Sequence, residues 1–134
     1  MLTDERLFKL VVIDDEPDMA RLISDVADIS GYTVAAYFDA REFVANYDGS
    51  VDVIFLDLVM PEMSGLDVIN FLVAQRSRAS LILMTGFNTD MLETAREAAI
   101  SANLNFVSGF RKPFRFDDLR SLLVELKKSM SPHA

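Results

Sequence analysis

Polar side chains that could act together follow four of the apolar runs in this sequence. Two aspartates, Asp14 and Asp15, come directly after the first run, Asp57 follows another, and Thr85 and Lys112 follow two more. If these runs are parallel strands, the residues that follow them lie at one edge of the sheet. The five side chains are therefore candidates for a single site.

The three carboxylates indicate what chemistry such a site could support. Crowded carboxylates repel one another and resist ionisation unless a cation lies between them. Oxygen ligands suit Mg²⁺, which keeps several waters and binds one or two carboxylates together with phosphate oxygens. An aspartate beside that ion can attack phosphorus and form an aspartyl-phosphate. Lys112 and the Thr85 hydroxyl would then share the transferred charge.

Each of these residues also has an ordinary structural explanation. Asp15 could be the N-cap of the following helix, with Pro17 in its first turn, and Asp57 or Thr85 could cap the elements that follow them. A Lys-Pro pair at a strand end is commonly part of a solvated loop. The presence of all five residues at strand ends is what favours a site.

The elements that must position these residues are readable from the apolar pattern. Short runs predict strands and helical stripes alternate with them, the clearest stripe extending from Leu119 to Met130. This alternation predicts a doubly wound α/β sandwich of a five-stranded parallel sheet and about five helices. The strand order 2-1-3-4-5, taken by analogy with other sheets of this kind, makes strands one and three neighbours. The predicted strands are 7–13, 33–37, 51–56, 81–84 and 105–110.

Length and composition indicate one domain with a substantial core. The 134 residues are 51% apolar and 25% charged, which predicts a single domain over 1–134, with a core at 5–128 and a tail or truncated linker at 129–134. No apolar run approaches the roughly 20 residues of a membrane span, and the N-terminus does not resemble a secretion signal. We therefore expect a cytoplasmic protein that does not enter a membrane.

Charge and cysteine content exclude other kinds of site. The net charge of −8 argues against direct nucleic-acid binding, which relies on Lys and Arg. The sequence has no cysteine, so disulfides and thiolate metal sites are excluded, and its one histidine, His133, lies in the C-terminal tail. The chemistry must rest on oxygen ligands and lysine.

Four motifs, in order along the chain, resemble those of a known family. They are VVIDDEP at 11–17, FLDLVMPEMSG at 55–65, LMTG at 83–86 and RKPF at 111–114. Over nearly its whole length the chain resembles the receiver domains of response regulators in two-component signalling. The resemblance implies that Asp57 accepts a phosphoryl group from a histidine kinase or phosphotransfer protein in a Mg²⁺-dependent reaction.

The resemblance also implies a ligand set for the metal. Asp15 and Asp57 would bind Mg²⁺ directly, Asp14 would bind it through a water, and Val59 would contribute its backbone carbonyl. Such a domain catalyses only its own phosphorylation and dephosphorylation. Phosphorylation would change how the domain binds a downstream protein or an output domain. A phosphorylation-dependent homodimer is one such interaction.

Two more residues take roles from the same resemblance. Thr85 corresponds to the hydroxyl that closes on the phosphoryl group, and Lys112 to the lysine that pairs with it. The Lys112–Pro113 peptide bond is expected to be cis.

One position departs from the family pattern. Receivers carry a Tyr or Phe three residues before the lysine, whose rotation reports phosphorylation, and here that residue is Gly109. Phe110 should face the other side of the sheet by strand alternation, which leaves Phe106 as the alternative. The long interval between Thr85 and Lys112 predicts an extended fourth helix.

Three other functions would use a similar arrangement of elements. A phosphatase of the haloacid dehalogenase type would need an acid where Val59 stands, and a flavodoxin-like carrier would need a loop less acidic than DDEPD. The third alternative is a receiver-like module that binds partners without being phosphorylated. The presence of all five site residues argues against it.

Overall fold

The chain forms five strands and five helices in strict alternation. The computed structural model describes residues 8–86 and 89–130, Thr89 through its backbone alone. No helix within those ranges is long and apolar enough to cross a membrane. The strands are β1 (Phe8–Ile13), β2 (Tyr32–Tyr37), β3 (Val53–Asp57), β4 (Ser80–Thr85) and β5 (Asn105–Arg111). The helices are α1 (Pro17–Ile29), α2 (Ala40–Asn46), α3 (Gly65–Ala74), α4 (Thr89–Ser101) and α5 (Phe116–Ser129).

The strands form one parallel sheet in the order β2-β1-β3-β4-β5. This confirms the predicted fold class and strand order. The winding reverses between β1 and β3, so the crevice beyond their carboxyl ends is the place where such sheets bind ligands.

Helices cover both faces of the sheet and divide the core into two clusters. On one face α2, α3 and α4 bury residues such as Phe43, Leu72 and Ala95. On the other face α1 and α5 bury Ile23 and Leu123. Every residue of β3 is buried, which explains why this strand is a continuous apolar run up to its final aspartate.

The start of α1 differs from the prediction by one residue. Asp15 was predicted as the N-cap, but Glu16 holds that position with an extended backbone, because Pro17 opens the helix. The Glu16 side chain makes no capping hydrogen bond. Its carboxylate is therefore available to another partner.

Candidate functional site

Two neighbouring strands place the carboxylates of Asp14 and Asp57 side by side. Ile13 at the end of β1 pairs with Leu56 of β3, so the residues that come next, Asp14 and Asp57, are adjacent at the carboxyl edge. The Asp14 N–H donates to the Tyr37 carbonyl of β2 at 3.1 Å, which extends the sheet by one residue. Asp14 is fully buried and Asp57 is 3% exposed. Two acids are thus held together away from water.

Lys112 reaches the same edge from β5. Its backbone N–H donates to the Thr85 carbonyl at 2.8 Å, which fixes the residue beside the end of β4. The Lys112–Pro113 peptide bond is cis, as the family resemblance implied. The side chain turns back across the edge of the sheet and is only 8% exposed.

The Lys112 ammonium contacts three carboxylates at once. Its Nζ lies 2.7 Å from Asp14 Oδ2, 2.8 Å from Glu16 Oε1 and 3.2 Å from Asp57 Oδ2. Glu16 is the exposed member of the three, with 64% of its side chain accessible. One buried cation therefore joins residues from the β1–α1 loop, β3 and the segment after β5.

Backbone donors also orient the Asp57 carboxylate. Its Oδ1 accepts from the Val59 N–H at 3.1 Å, while the Leu58 N–H donates to the Met84 carbonyl at 2.9 Å. Gly65 lies so close behind this loop that a Cβ atom there would be 2.7 Å from the Leu58 Cα. A side chain at position 65 would push the loop that holds Asp57 out of place.

These surroundings shift two pKa values. Burial, and then the neighbouring charge of Asp14, raise the pKa of Asp57 to about 7, although Lys112 and the Val59 N–H act in the opposite direction. Burial by itself lowers the pKa of Lys112, but its contacts with Asp14, Glu16 and Asp57 outweigh burial and raise that pKa above its ordinary value. Lys112 is a permanent cation at neutral pH, whereas Asp57 is held near its titration point.

The acids form a group that fits a hard cation. Oxygens of Asp14, Glu16 and Asp57 all lie within 4.8 Å of one another. Asp14 Oδ2 is buried without a hydrogen bond of good geometry, although Lys112 lies close enough for an ion pair. A buried carboxylate oxygen with unused capacity and an all-oxygen donor set are the chemistry that Mg²⁺ accepts.

The structure brings together most of the predicted site residues and adds one. Asp15, Asp57, Val59 and Lys112 line one open pocket, and Glu16, which was not predicted, lines it with them. Asp15 is outside the three-acid group, although it is half-buried at the same pocket. The signal for Glu16 was present in the sequence, because it is the third acid of the run DDE.

Thr85 and Val59 lie on either side of Asp57. Met84 of β4 pairs with Asp57, so the fully buried Thr85 stands one residue beyond the aspartate on the neighbouring strand. The Val59 side chain is 54% exposed and lines the open pocket together with Gly86. The open pocket is therefore lined by charged side chains and also by apolar residues such as Val59.

Comparison with known proteins identifies the family that this fold and site define. The family profile described as the response regulator receiver domain matches residues 10–124. The chain belongs to this family and is a receiver domain of a two-component response regulator, with an acidic pocket formed by Asp14, Glu16 and Asp57. The resemblance seen in its motifs is confirmed, which argues against the phosphatase and flavodoxin-like alternatives.

Individual relatives agree with this assignment. The chain is 28% identical over 83 residues to "Transcriptional regulatory protein CpxR" of Klebsiella pneumoniae, covering 62% of this chain and 35% of that protein. It is 29% identical over 118 residues to "Regulatory protein AtoC" of Escherichia coli, covering 87% of this chain and 24% of that protein. The chain thus spans only about a quarter to a third of these relatives.

A solved structure covers the chain more fully. A response regulator from Colwellia psychrerythraea superposes with a TM-score of 0.82 at 31% identity, over 92% of this chain and 99% of that one. Because the superposition covers nearly the whole of both chains, it supports the fold and its strand order.

Proposed function

We propose that this receiver domain is switched by phosphorylation of Asp57, with Mg²⁺ as cofactor and a histidine kinase or phosphotransfer protein as donor. The observation that supports the proposal most is the convergence of Asp14, Glu16 and Asp57 around the buried Lys112 ammonium at an open pocket. A nucleophilic carboxylate, a cation to pair with the transferred group and an oxygen-only donor set are together what phosphoryl transfer requires.

The proposed metal ligands are Asp15 and Asp57 directly, Asp14 through a water and Val59 through its backbone carbonyl. The unused capacity of Asp14 Oδ2 supports a cation at this place. When bound, Mg²⁺ neutralises the crowded carboxylates and the charge of the phosphoryl oxygens.

The proposed transfer step uses the residues of this chain as follows. A carboxylate oxygen of Asp57 attacks phosphorus, a new O–P bond forms, and the P–N bond to the donor histidine breaks with its electron pair leaving on the imidazole nitrogen. The Lys112 ammonium pairs with a phosphoryl oxygen, and the Thr85 hydroxyl donates to another. Those new contacts bias an existing conformational equilibrium and change which protein partner is bound.

We also propose the activity, extent and location of the domain. Its chemistry is confined to phosphorylation and dephosphorylation of its own aspartate, with no other substrate. We propose residues 5–128 as the switching unit within a single domain over 1–134, and α5 continues one residue past that limit, to Ser129. We place it in the cytoplasm and expect an output through a protein partner, an output domain or a homodimer.

The test is the intact mass of the protein after incubation with acetyl phosphate, with and without Mg²⁺. We expect one added phosphoryl group that requires Mg²⁺, is lost in Asp57→Asn, and persists in Asp25→Asn, an exposed aspartate of α1 away from the site. If the folded native protein gains no mass under either condition, the proposal fails and the phosphorylation-independent interaction module replaces it.

A further inference from the structure

Glu16 holds a position that the family motifs did not assign. It is the N-cap of α1, yet its side chain makes no capping bond and turns toward the site, where Oε1 accepts from Lys112 Nζ at 2.8 Å. Its own backbone N–H donates to Asp14 Oδ1 at 2.9 Å, which fixes the loop that carries it. The contact with Lys112 joins residues 96 positions apart in the sequence.

The Lys112 ammonium is surrounded by carboxylates in this arrangement, with hydrogen bonds to Glu16 and Asp57 and an ion pair with Asp14. An ammonium group carries three N–H donors, and three carboxylates lie within 3.2 Å of Nζ. The contact with Asp57, at 3.2 Å, is the longest of them. A new oxyanion at Asp57 therefore competes with these carboxylates for the Lys112 ammonium.

The three partners differ in how easily they can be released. Asp14 and Asp57 are buried, and an unpaired charge there is costly because water cannot reach it. Glu16 is 64% exposed, so water solvates its carboxylate as soon as Lys112 leaves. Glu16 is therefore the carboxylate that is most easily released from Lys112.

We propose that Glu16 is a positioning residue that tethers Lys112 in the unphosphorylated protein and is released when a phosphoryl group forms on Asp57. Because the tether exists in one state only, it shifts the equilibrium toward the unphosphorylated form. This inference rests on the proposed function and adds a regulatory residue to the same site.

The phosphoryl side of the inference is tested with beryllium fluoride, a mimic of an aspartyl phosphoryl group, in the presence of Mg²⁺. We expect Glu16→Gln to bind beryllium fluoride about three- to fivefold more tightly than the native protein, the effect of losing one partly exposed ion pair. Asp18→Asn is the matched control, since it removes an exposed acid in the first turn of the same helix. An affinity in Glu16→Gln no tighter than in Asp18→Asn would overturn the proposal.

Titration calorimetry with Mg²⁺ alone separates a tether from a metal ligand. A tether predicts that Glu16→Gln weakens Mg²⁺ binding by less than about tenfold beyond Asp18→Asn, because Glu16 contributes a nearby negative charge but no ligand oxygen. A loss of about tenfold or more in Glu16→Gln beyond that control would show that Glu16 is a ligand and would overturn the tether.

A third measurement needs neither metal nor phosphoryl group. In urea unfolding with EDTA, we expect Glu16→Gln to lower the midpoint when Lys112 is present and to leave it unchanged or raise it in a Lys112→Met background. Equal effects in the two backgrounds would overturn the tether. If this coupling is present but the native protein binds no beryllium fluoride and gains no phosphoryl group, the proposed function fails and the contact between Glu16 and Lys112 stands only as a structural ion pair.

Discussion

Asp57 is held near its titration point by surroundings that oppose its charge. Burial and the charge of Asp14 raise its pKa to about 7, against a reference value of 3.8. Without a metal, the ionised carboxylate therefore costs folding free energy that the unfolded chain does not pay. For the same reason, a cation bound beside the ionised carboxylate would stabilise the folded protein.

This pKa shift predicts a pH-dependent effect of Asp57→Asn on stability. Between the unfolded and the folded pKa the folded state binds more protons, so the native protein loses stability as pH rises from about 4 to about 7. Asn removes this loss, and we expect Asp57→Asn to exceed the native free energy of unfolding by about 2 kcal/mol at pH 8 and to match it at pH 4.5. Urea unfolding in EDTA at the two pH values measures the difference. Parallel pH profiles for the two proteins would contradict the assignment.

Sequence reasoning found the candidate residues that lie at or near the ends of strands, but it missed Glu16. Asp57 and Thr85 could be found because buried strands lead directly to them, and Lys112 because it follows β5. The role of Glu16 depends on a contact with Lys112 across 96 positions, which exists only once β1 and β5 are set in one sheet. The sequence shows that an acid, Glu16, follows Asp15, but it does not show where the Glu16 side chain points.

Helix α4 and strand β5 meet at the position where the family pattern has an aromatic residue. A Cβ atom at Gly109 would lie 2.9 Å from Leu92 Cδ1 and 3.1 Å from Cδ2, so the leucine of α4 fills the space beside the strand. Phe106 lies on the same face with the Arg96 guanidinium 5.8 Å from its ring centroid. Helix α4 spans Thr89–Ser101, and its Leu92 takes the space that Gly109 leaves open.

We expect Gly109→Ala to destabilise the protein by about 1 kcal/mol, because the added methyl group meets Leu92. The same substitution in a Leu92→Ala background should be neutral or slightly stabilising, since the clash is gone and alanine restricts the unfolded chain more than glycine. Thermal unfolding of the four proteins gives the coupling between the two positions. An identical effect of Gly109→Ala in both backgrounds would show that Leu92 does not fill that space.

The limits of some elements could not be read from the sequence. Helix α3, GLDVINFLVA, is apolar on most sides and has no clear stripe, and Val73 in it is 36% exposed. In β5 a register shift opposite Leu81 and Ile82 places Phe106 and Gly109 on the same face, which simple alternation forbids. Both features depend on how neighbouring elements pack.

At the scale of the whole molecule, the sheet is shared by two cores that meet at β3. Val53 and Phe55 pack toward α1 and α5, while Ile54 and Leu56 pack toward α2, α3 and α4. The alternation of strands and helices was sufficient to predict this architecture, because short crossovers between parallel strands leave few other arrangements. Asp57, at the end of β3, depends on both cores for its position.

All described residues of the candidate site lie at the carboxyl edge of the sheet, and the opposite edge contributes none. Gly49, in the α2–β3 loop at that opposite edge, is exposed, and a Cβ atom there would meet nothing within 4 Å. A ten-residue Gly-Ser insertion after Gly49 should therefore leave Mg²⁺-dependent mass gain unchanged, whereas the same insertion after Val59 should abolish it. Loss of the mass gain in the first protein, with its fold intact, would show that the two edges are coupled. With both results as expected, the domain could carry a reporter at one edge while a partner reads the other, which would make it a ready-made sensor module.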